Sequence, residues 1–203
     1  HNMQAVEKPS FFQRGPNYER NNFSGDTINF EKINDLGLGL PHNEMTSILK
    51  NKKMKFQTHS HLNADESINF LRIEELKGSI SRVEGNLYTA PLARDAILEE
   101  LMVDGWSNQV TIDPHASITI TSMKDRIGLC LQFGNMARFY ADLLKLQHLY
   151  CSNRIVGAFY IVPEKAYAKS LGSNLANDDR LTKELSIFET TITVPIMVFG
   201  VWN

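Results

Sequence analysis

The run from Lys124 to Tyr150 constrains the fold of this chain more than any other, because it reads as a short apolar strand, Ile127 to Phe133, a glycine at Gly134, and then a helix. Strand side chains alternate with a period of two, so Gly128, Cys130 and Gln132 share one face while Ile127, Leu129, Leu131 and Phe133 fill the other. After Gly134 the apolar residues Met136, Phe139, Tyr140, Leu143 and Leu144 recur as the stripe of a helix. A polar pair on an otherwise buried strand, aimed at the mouth of a helix N-terminus, is where chemistry is expected. One of that pair, however, is a cysteine.

At 203 residues the chain makes one domain or a domain with an extension. It is large enough to bury roughly 70% of its unfolded surface without a disulfide or structural metal. No apolar run approaches the roughly 20 residues of a membrane span. The N-terminus lacks the apolar core of a secretory signal, and His1-Asn2-Met3 is set aside as an expression scar. Cys130 and Cys151 fall on an expected core strand and a helix end, which suggests free thiols in a reducing cytoplasm. A net charge of -2 argues against sequence-blind binding to polyanions but leaves room for a local basic patch on DNA.

Residues 1–55 read as an irregular arm that packs on the body. Asn17, Asn21, Asn22, Asn29, Asn34 and Asn43 lie among glycines and prolines, with one short helix expected from Asn43 to Lys50. Phe11, Phe12, Phe23 and Phe30 are too many for a free tail. Lys50, Lys52, Lys53 and Lys55 form a basic cluster, either a solvated run or a phosphate contact. His59 and His61 alternate near Asp65, but two histidines without a third ligand are weak grounds for a metal.

Residues 56–203 carry the regular pattern. Ile68 to Val83 reads as a helix or strand-helix with Ile68, Leu71, Leu76 and Ile80 apolar. Thr89 caps a clear helix with Pro91 in its first turn, Leu92, Ala96, Ile97, Leu101 and Met102 as its stripe, and Gly105 as its stop. Strands follow around Val110 to Ile112 and Ser117 to Thr121, joined by an Asp113-Pro114 corner, and a turn near Met123 to Arg126 leads into the core strand as a hairpin or meander. Beyond the helix come a strand at Ile155 to Val162, a short helix from Glu164 to Leu171, and a helix capped by Asp178 or Asp179. A last strand runs from Ile192 to Val201, where Pro195 suggests an edge or bulge. Strands mixed with helices imply an α/β or α+β sheet domain.

The run Lys124-Asp125-Arg126-Ile127-Gly128-Leu129-Cys130-Leu131-Gln132-Phe133-Gly134 resembles the core of the BglII/BstYI type II restriction endonucleases, which show Lys-Asp-Arg, apolar residues, then Glu-x-Gln-Phe-Gly. The likeness extends back through Leu87-Tyr88-Thr89-Ala90-Pro91 and Gly105-Trp106, and forward to Val194 to Gly200, covering roughly residues 56–201. It implies the PD-(D/E)xK fold, a restriction-endonuclease-like central mixed β-sheet flanked by helices, acting as a homodimer on palindromic double-stranded DNA. In that fold an Asp and a Glu on adjacent strands bind Mg²⁺, a hard cation that wants oxygen ligands.

Carried over residue by residue, the family's Glu falls on Cys130, its Asp on Thr121, its Gln on Gln132 and its upstream Asn near Asn108. Both metal-binding carboxylates are therefore absent, and a thiol and a hydroxyl do not replace two negative charges for Mg²⁺. Cys130 then reads as a buried filler; a reactive thiol is the other reading, and it lacks an evident histidine partner to activate it. Relocated acids are the alternative: Asp113, with Glu99 or Glu100 and His115 beside it, would rescue an Mg²⁺-dependent nuclease. Asp125 points to the opposite face from Cys130. Segments that approach DNA in the resembled enzymes fall here on Asn135 and Arg138 and on Ser173, Asn174 and Asn177. The expectation is a DNA-binding domain with a degenerate catalytic pair and no bound cofactor. An interaction module docking a protein through residues 1–55 is the third reading.

Overall fold

The computed structural model describes residues 52–203, and the arm with its expected Asn43 to Lys50 helix lies outside the described residues. In chain order the elements are β1 (Lys52–Lys53), β2 (Lys55–His61), α1 (Ala64–Ser67), α2 (Phe70–Arg82), β3 (Glu84–Gly85), α3 (Ala90–Val103), β4 (Val110–Asp113), β5 (Ile118–Ile120), β6 (Ser122–Lys124), β7 (Ile127–Leu131), α4 (Arg138–Cys151), β8 (Gly157–Pro163), α5 (Lys165–Leu171), α6 (Asp178–Ile187) and β9 (Ile196–Trp202). Five strands form a mixed sheet in the order β2-β9-β8-β7-β6. The β7–β8 and β8–β9 pairs are parallel; β2–β9 and β6–β7 are antiparallel. Two small ribbons, β1–β3 and β4–β5, stand apart from it.

The expected alternation of β7 divides the core. Ile127, Leu129, Leu131 and Phe133 join Phe159, Ile161 and Phe199 beneath Ile73, Leu76 and Ile80 of α2 and Ala93, Ile97 and Leu101 of α3. Cys130 joins Ala158, Tyr160, Val162 and Val198 beneath Phe139, Leu143, Leu146 and Leu149 of α4 and Leu181 and Leu185 of α6. The result is a three-layer helix–sheet–helix sandwich, in which each fully buried large side chain contributes about 1.5–3 kcal/mol. Among the described residues no helix is long and apolar enough to cross a membrane.

Several sequence expectations shift in phase. On α4 the buried stripe is Phe139, Leu143, Leu146 and Leu149, whereas Tyr140 and Leu144 face out at 38% and 63% exposure. The stripe of α3 turns likewise from Leu92 and Met102 to Ala93, Ile97 and Leu101, and on α2 from Leu71 to Ile73. Helix ends fare better: Thr89 Oγ1 accepts the Leu92 N–H, and Gly105 ends α3 at φ +77°. The cap of α6 is neither Asp178 nor Asp179 but Asn177, whose Oδ1 accepts the Arg180 N–H at 3.1 Å. Pro195 marks neither an edge nor a bulge. It precedes β9, an inner strand, and its carbonyl accepts the Ala158 N–H at 2.9 Å. Strand β2 carries no apolar alternation to announce it, because it is a polar edge strand.

The Lys-Asp-Arg run is a hairpin turn. Lys124 pairs with Ile127, so Asp125 and Arg126 alone make the turn, at φ 48° and 61°. Two positive φ values in a two-residue loop are the signature of the type whose twist matches the flanking strands. Each side chain of the run is anchored: Lys124 Nζ to Glu75 at 2.7 Å, Asp125 to Arg72 at 3.3 Å, and Arg126 Nη2 to the Asn153 carbonyl at 2.9 Å.

Candidate functional site

With Ser122 opposite Leu129, the β6–β7 register continued by one residue brings Thr121 opposite Cys130. Thr121 Oγ1 accepts the Leu131 N–H at 3.0 Å, so the hydroxyl is committed to holding the two strands together. Cys130 is 1% exposed, and in the parallel register with β8 it lies beside Tyr160. Burial, and next the charge of Asp142, push its thiol well above the usual range, against the smaller opposing effects of Lys145 and the Thr121 N–H. The same two causes raise the Tyr160 phenol. A thiol held protonated is a poor nucleophile, which favours the filler reading of Cys130.

The residue that sequence reasoning missed is Asp142. It comes from α4, not from the sheet, and only 13% of its side chain is exposed. Its Oδ2 accepts from Gln132 Nε2 at 2.8 Å and from the Tyr160 hydroxyl at 3.2 Å, and its Oδ1 meets Lys145 Nζ at 2.9 Å. Gln132 is fully engaged as well, since its Oε1 accepts the Gly134 N–H at 2.9 Å. The signal was present: position 142 falls three residues after Phe139 and four before Leu146, on the buried stripe.

The acids expected as rescuers have other partners. Asp113 Oδ1 accepts the N–H groups of His115 and Ala116 at 2.8 Å each and stabilises the β4–β5 turn in a separate ribbon. Glu100 pairs with Arg82 at 2.8 Å, and Glu99 lies next to it on the solvent side of α3. Asn108 is exposed in the loop after α3. His61 is buried with Nε2 at 2.9 Å from the Ile192 carbonyl, Asp65 accepts from Ser60, and exposed His59 lines a separate cleft with Gln57 and Asp178. Among the described residues no three His, Cys, Asp or Glu side chains are grouped to hold a metal ion.

The side chains gathered around Cys130 therefore do not fit a magnesium ion. They offer one carboxylate, already neutralised, beside a protonated thiol and a spent hydroxyl.

The expected DNA-facing segments do come together. The 134–138 and 173–177 segments are joined by Met136 N–H to the Asn174 carbonyl at 3.1 Å and by Ala176 N–H to the Gly134 carbonyl at 2.9 Å. Asn135 Oδ1 accepts the Ala137 N–H at 2.8 Å, and Asn177 caps α6, so both amides have structural duties. Ser173 and Asn174 are exposed between them. Next to Asn135 opens a cleft of about 260 Å³ lined by Pro91, Arg94, Asp95, Gln132, Gly134 and Arg138. Outside the lining of that cleft, Lys52 and Lys53 pair with Gly85 and Glu84, and Lys53 Nζ meets the Glu84 carboxylate at 3.0 Å.

The family model described as restriction endonuclease BglII/BglIII matches residues 56–201. The crystal structure of restriction endonuclease BglII complexed with a DNA 16-mer is similar at a TM-score of 0.63 and 17% identity, over 73% of this chain and 78% of that one. Free BglII is similar at 0.56 and 15%, over 73% and 80%. A search of curated protein sequences finds no match.

Proposed function

Because the chain belongs to the BglII/BglIII restriction endonuclease family, we propose that it binds double-stranded DNA but does not cleave it through the two-carboxylate magnesium site of that fold. The observation that carries the reading is the pairing of Thr121 with Cys130: one hydroxyl already accepts a backbone N–H and the thiol is buried and protonated. Mg²⁺ keeps near-ideal octahedral geometry and dehydrates reluctantly, so one carboxylate already paired with an ammonium is a poor lure. DNA as partner is supported by the DNA-bound relative and by the arginine-flanked cleft beside the two joined loops.

A plasmid-nicking assay in Mg²⁺ and in Mn²⁺, run beside fluorescence anisotropy on duplex DNA, tests this. We expect no nicking and an affinity that falls steeply with salt. Robust nicking defeats the reading. If Asp142→Asn abolished such cleavage, a second reading would hold, a nuclease whose acid has moved to α4; that reading rests on the Asp142–Gln132 contact. Loss under Asp113→Ala would instead restore the relocated-acid site on β4. Undetectable DNA binding at low salt would favour an interaction module using residues 1–55.

A palindromic site calls for two copies. Tyr140 and Leu144 on α4, with Ile187 and Phe188 at the end of α6, expose apolar surface suited to a homodimer, which sedimentation velocity checks. Two free cysteines suit a reducing cytoplasm.

A further inference from the structure

The misfit to magnesium has a positive side: the cluster already contains a cation. Lys145 follows Asp142 by three positions on α4, and its ammonium sits 2.9 Å from Asp142 Oδ1 with the side chain 27% exposed. The other carboxylate oxygen is held by Gln132 and Tyr160, and Gln132 is one wall of the arginine-flanked cleft. One negative and one positive charge are thereby locked together directly behind that wall.

We infer that Lys145 serves as the resident cation of this pocket, replacing a divalent ion electrostatically, so that the domain engages DNA phosphate without added metal. The second half of this statement rests on the DNA-binding reading above; the first half does not. The physics is Coulombic. Two unpaired carboxylates behind a cleft repel an incoming phosphate until a divalent ion intervenes, the more so the less water screens them. A single carboxylate tied to an ammonium presents a dipole with no net charge, so that repulsion is gone before DNA arrives. A divalent ion entering here would have to displace the ammonium and break two hydrogen bonds, and would gain one carboxylate in return.

The test has two arms. In the first, Mn²⁺ is titrated into the protein alone and followed by electron paramagnetic resonance. Wild type is expected to show no saturable site. Lys145→Met, which keeps most of the apolar stem, is expected to bind Mn²⁺ at least about tenfold more tightly, and the added Asp142→Asn change to remove that gain. Saturable Mn²⁺ binding by wild type that Asp142→Asn abolishes overturns the inference, and this comparison needs no Lys145 variant to fold. In the second arm, anisotropy on duplex DNA is read in EDTA and in Mg²⁺ at matched ionic strength. Dissociation constants within about twofold of each other support the inference. A tightening of tenfold or more with Mg²⁺ overturns it while leaving DNA binding in place. Absence of DNA binding in both buffers overturns the DNA reading instead, and the Mn²⁺ arm still decides the role of Lys145.

Discussion

Two carboxylates on the same side of the sheet, buried Asp178 and partly buried Asp142, are stabilised in opposite ways. Asp178, 6% exposed, is the first residue of α6; its Oδ1 accepts the N–H groups of Lys165 at 3.1 Å and Asp179 at 2.7 Å, and its Oδ2 accepts from Gln57. At the positive end of a helix and with two backbone donors, it needs no counter-ion. Asp142 sits in the first half of α4, where backbone N–H groups are already used by the helix, and relies on an amide, a phenol and an ammonium from side chains. The difference is that a backbone-held acid is part of the frame, whereas a side-chain-held acid can be rewired by single substitutions. In this domain the frame-type acid lies against β9, whereas the rewirable one lies beside Gln132 and Tyr160, the β8 neighbour of Cys130.

The sharpest way to break the comparison is at Gly200 on β9, where a Cβ would lie 2.2 Å from Asp178 Oδ2. Gly200→Ala should destabilise the domain by about 3 kcal/mol, read by urea unfolding, because the acid cannot yield without abandoning its donors. Next in size, Asp178→Asn should cost about 2 kcal/mol and Asp142→Asn about 1 kcal/mol, since Lys145 can swing its ammonium to solvent. Equal losses, or a larger loss at 142, would sink the distinction.

A smaller effect appears in alkali. Cys130 and Tyr160 are both held protonated by burial first and by the Asp142 charge second. The folded state therefore keeps protons that the unfolded chain sheds from about pH 8.5 for the thiol and about pH 10 for the phenol. The stability linked to them is complete below about pH 8.5 and declines as pH rises toward the folded values. Asp142→Asn lowers both folded values and should therefore reduce the total stability lost in alkali, whereas Asp178→Asn should leave that loss unchanged; denaturant midpoints measured from pH 8 upward check both. Least in energy, a thiol reagent at pH 8 should modify exposed Cys151 quickly and Cys130 only as the domain unfolds.

How much of this was legible in the sequence depended on which physical signal each part carries. The period-two alternation of Ile127 to Phe133 is strong because both faces of β7 are buried against different helices, and it located Cys130 and Gln132 correctly. Strand β2 was invisible because an edge strand with exposed lysines and histidines has no buried face to advertise. On α4, Tyr140 and Leu144 are apolar yet exposed, and a stripe that counts them is rotated away from Asp142. Apolar residues on a surface are common enough that one misassigned pair changes the phase. Caps involve competition between neighbouring Asn and Asp residues, and Asn177 took the role expected of Asp178 because Asp178 turns inward to Gln57 and Lys165.

The tight turn at Asp125–Arg126 has a consequence beyond joining two strands. By fixing the pairing of β6 with β7 it acts as a phase lock, and one inserted residue there would exchange the inward and outward sides of β7, sending Cys130 toward α2 and Leu131 toward α4. With that lock in place, an exchange of side chains at positions 121 and 130 is chemical and leaves the architecture whole. Such an exchange is reversible in a way that a slipped strand is not.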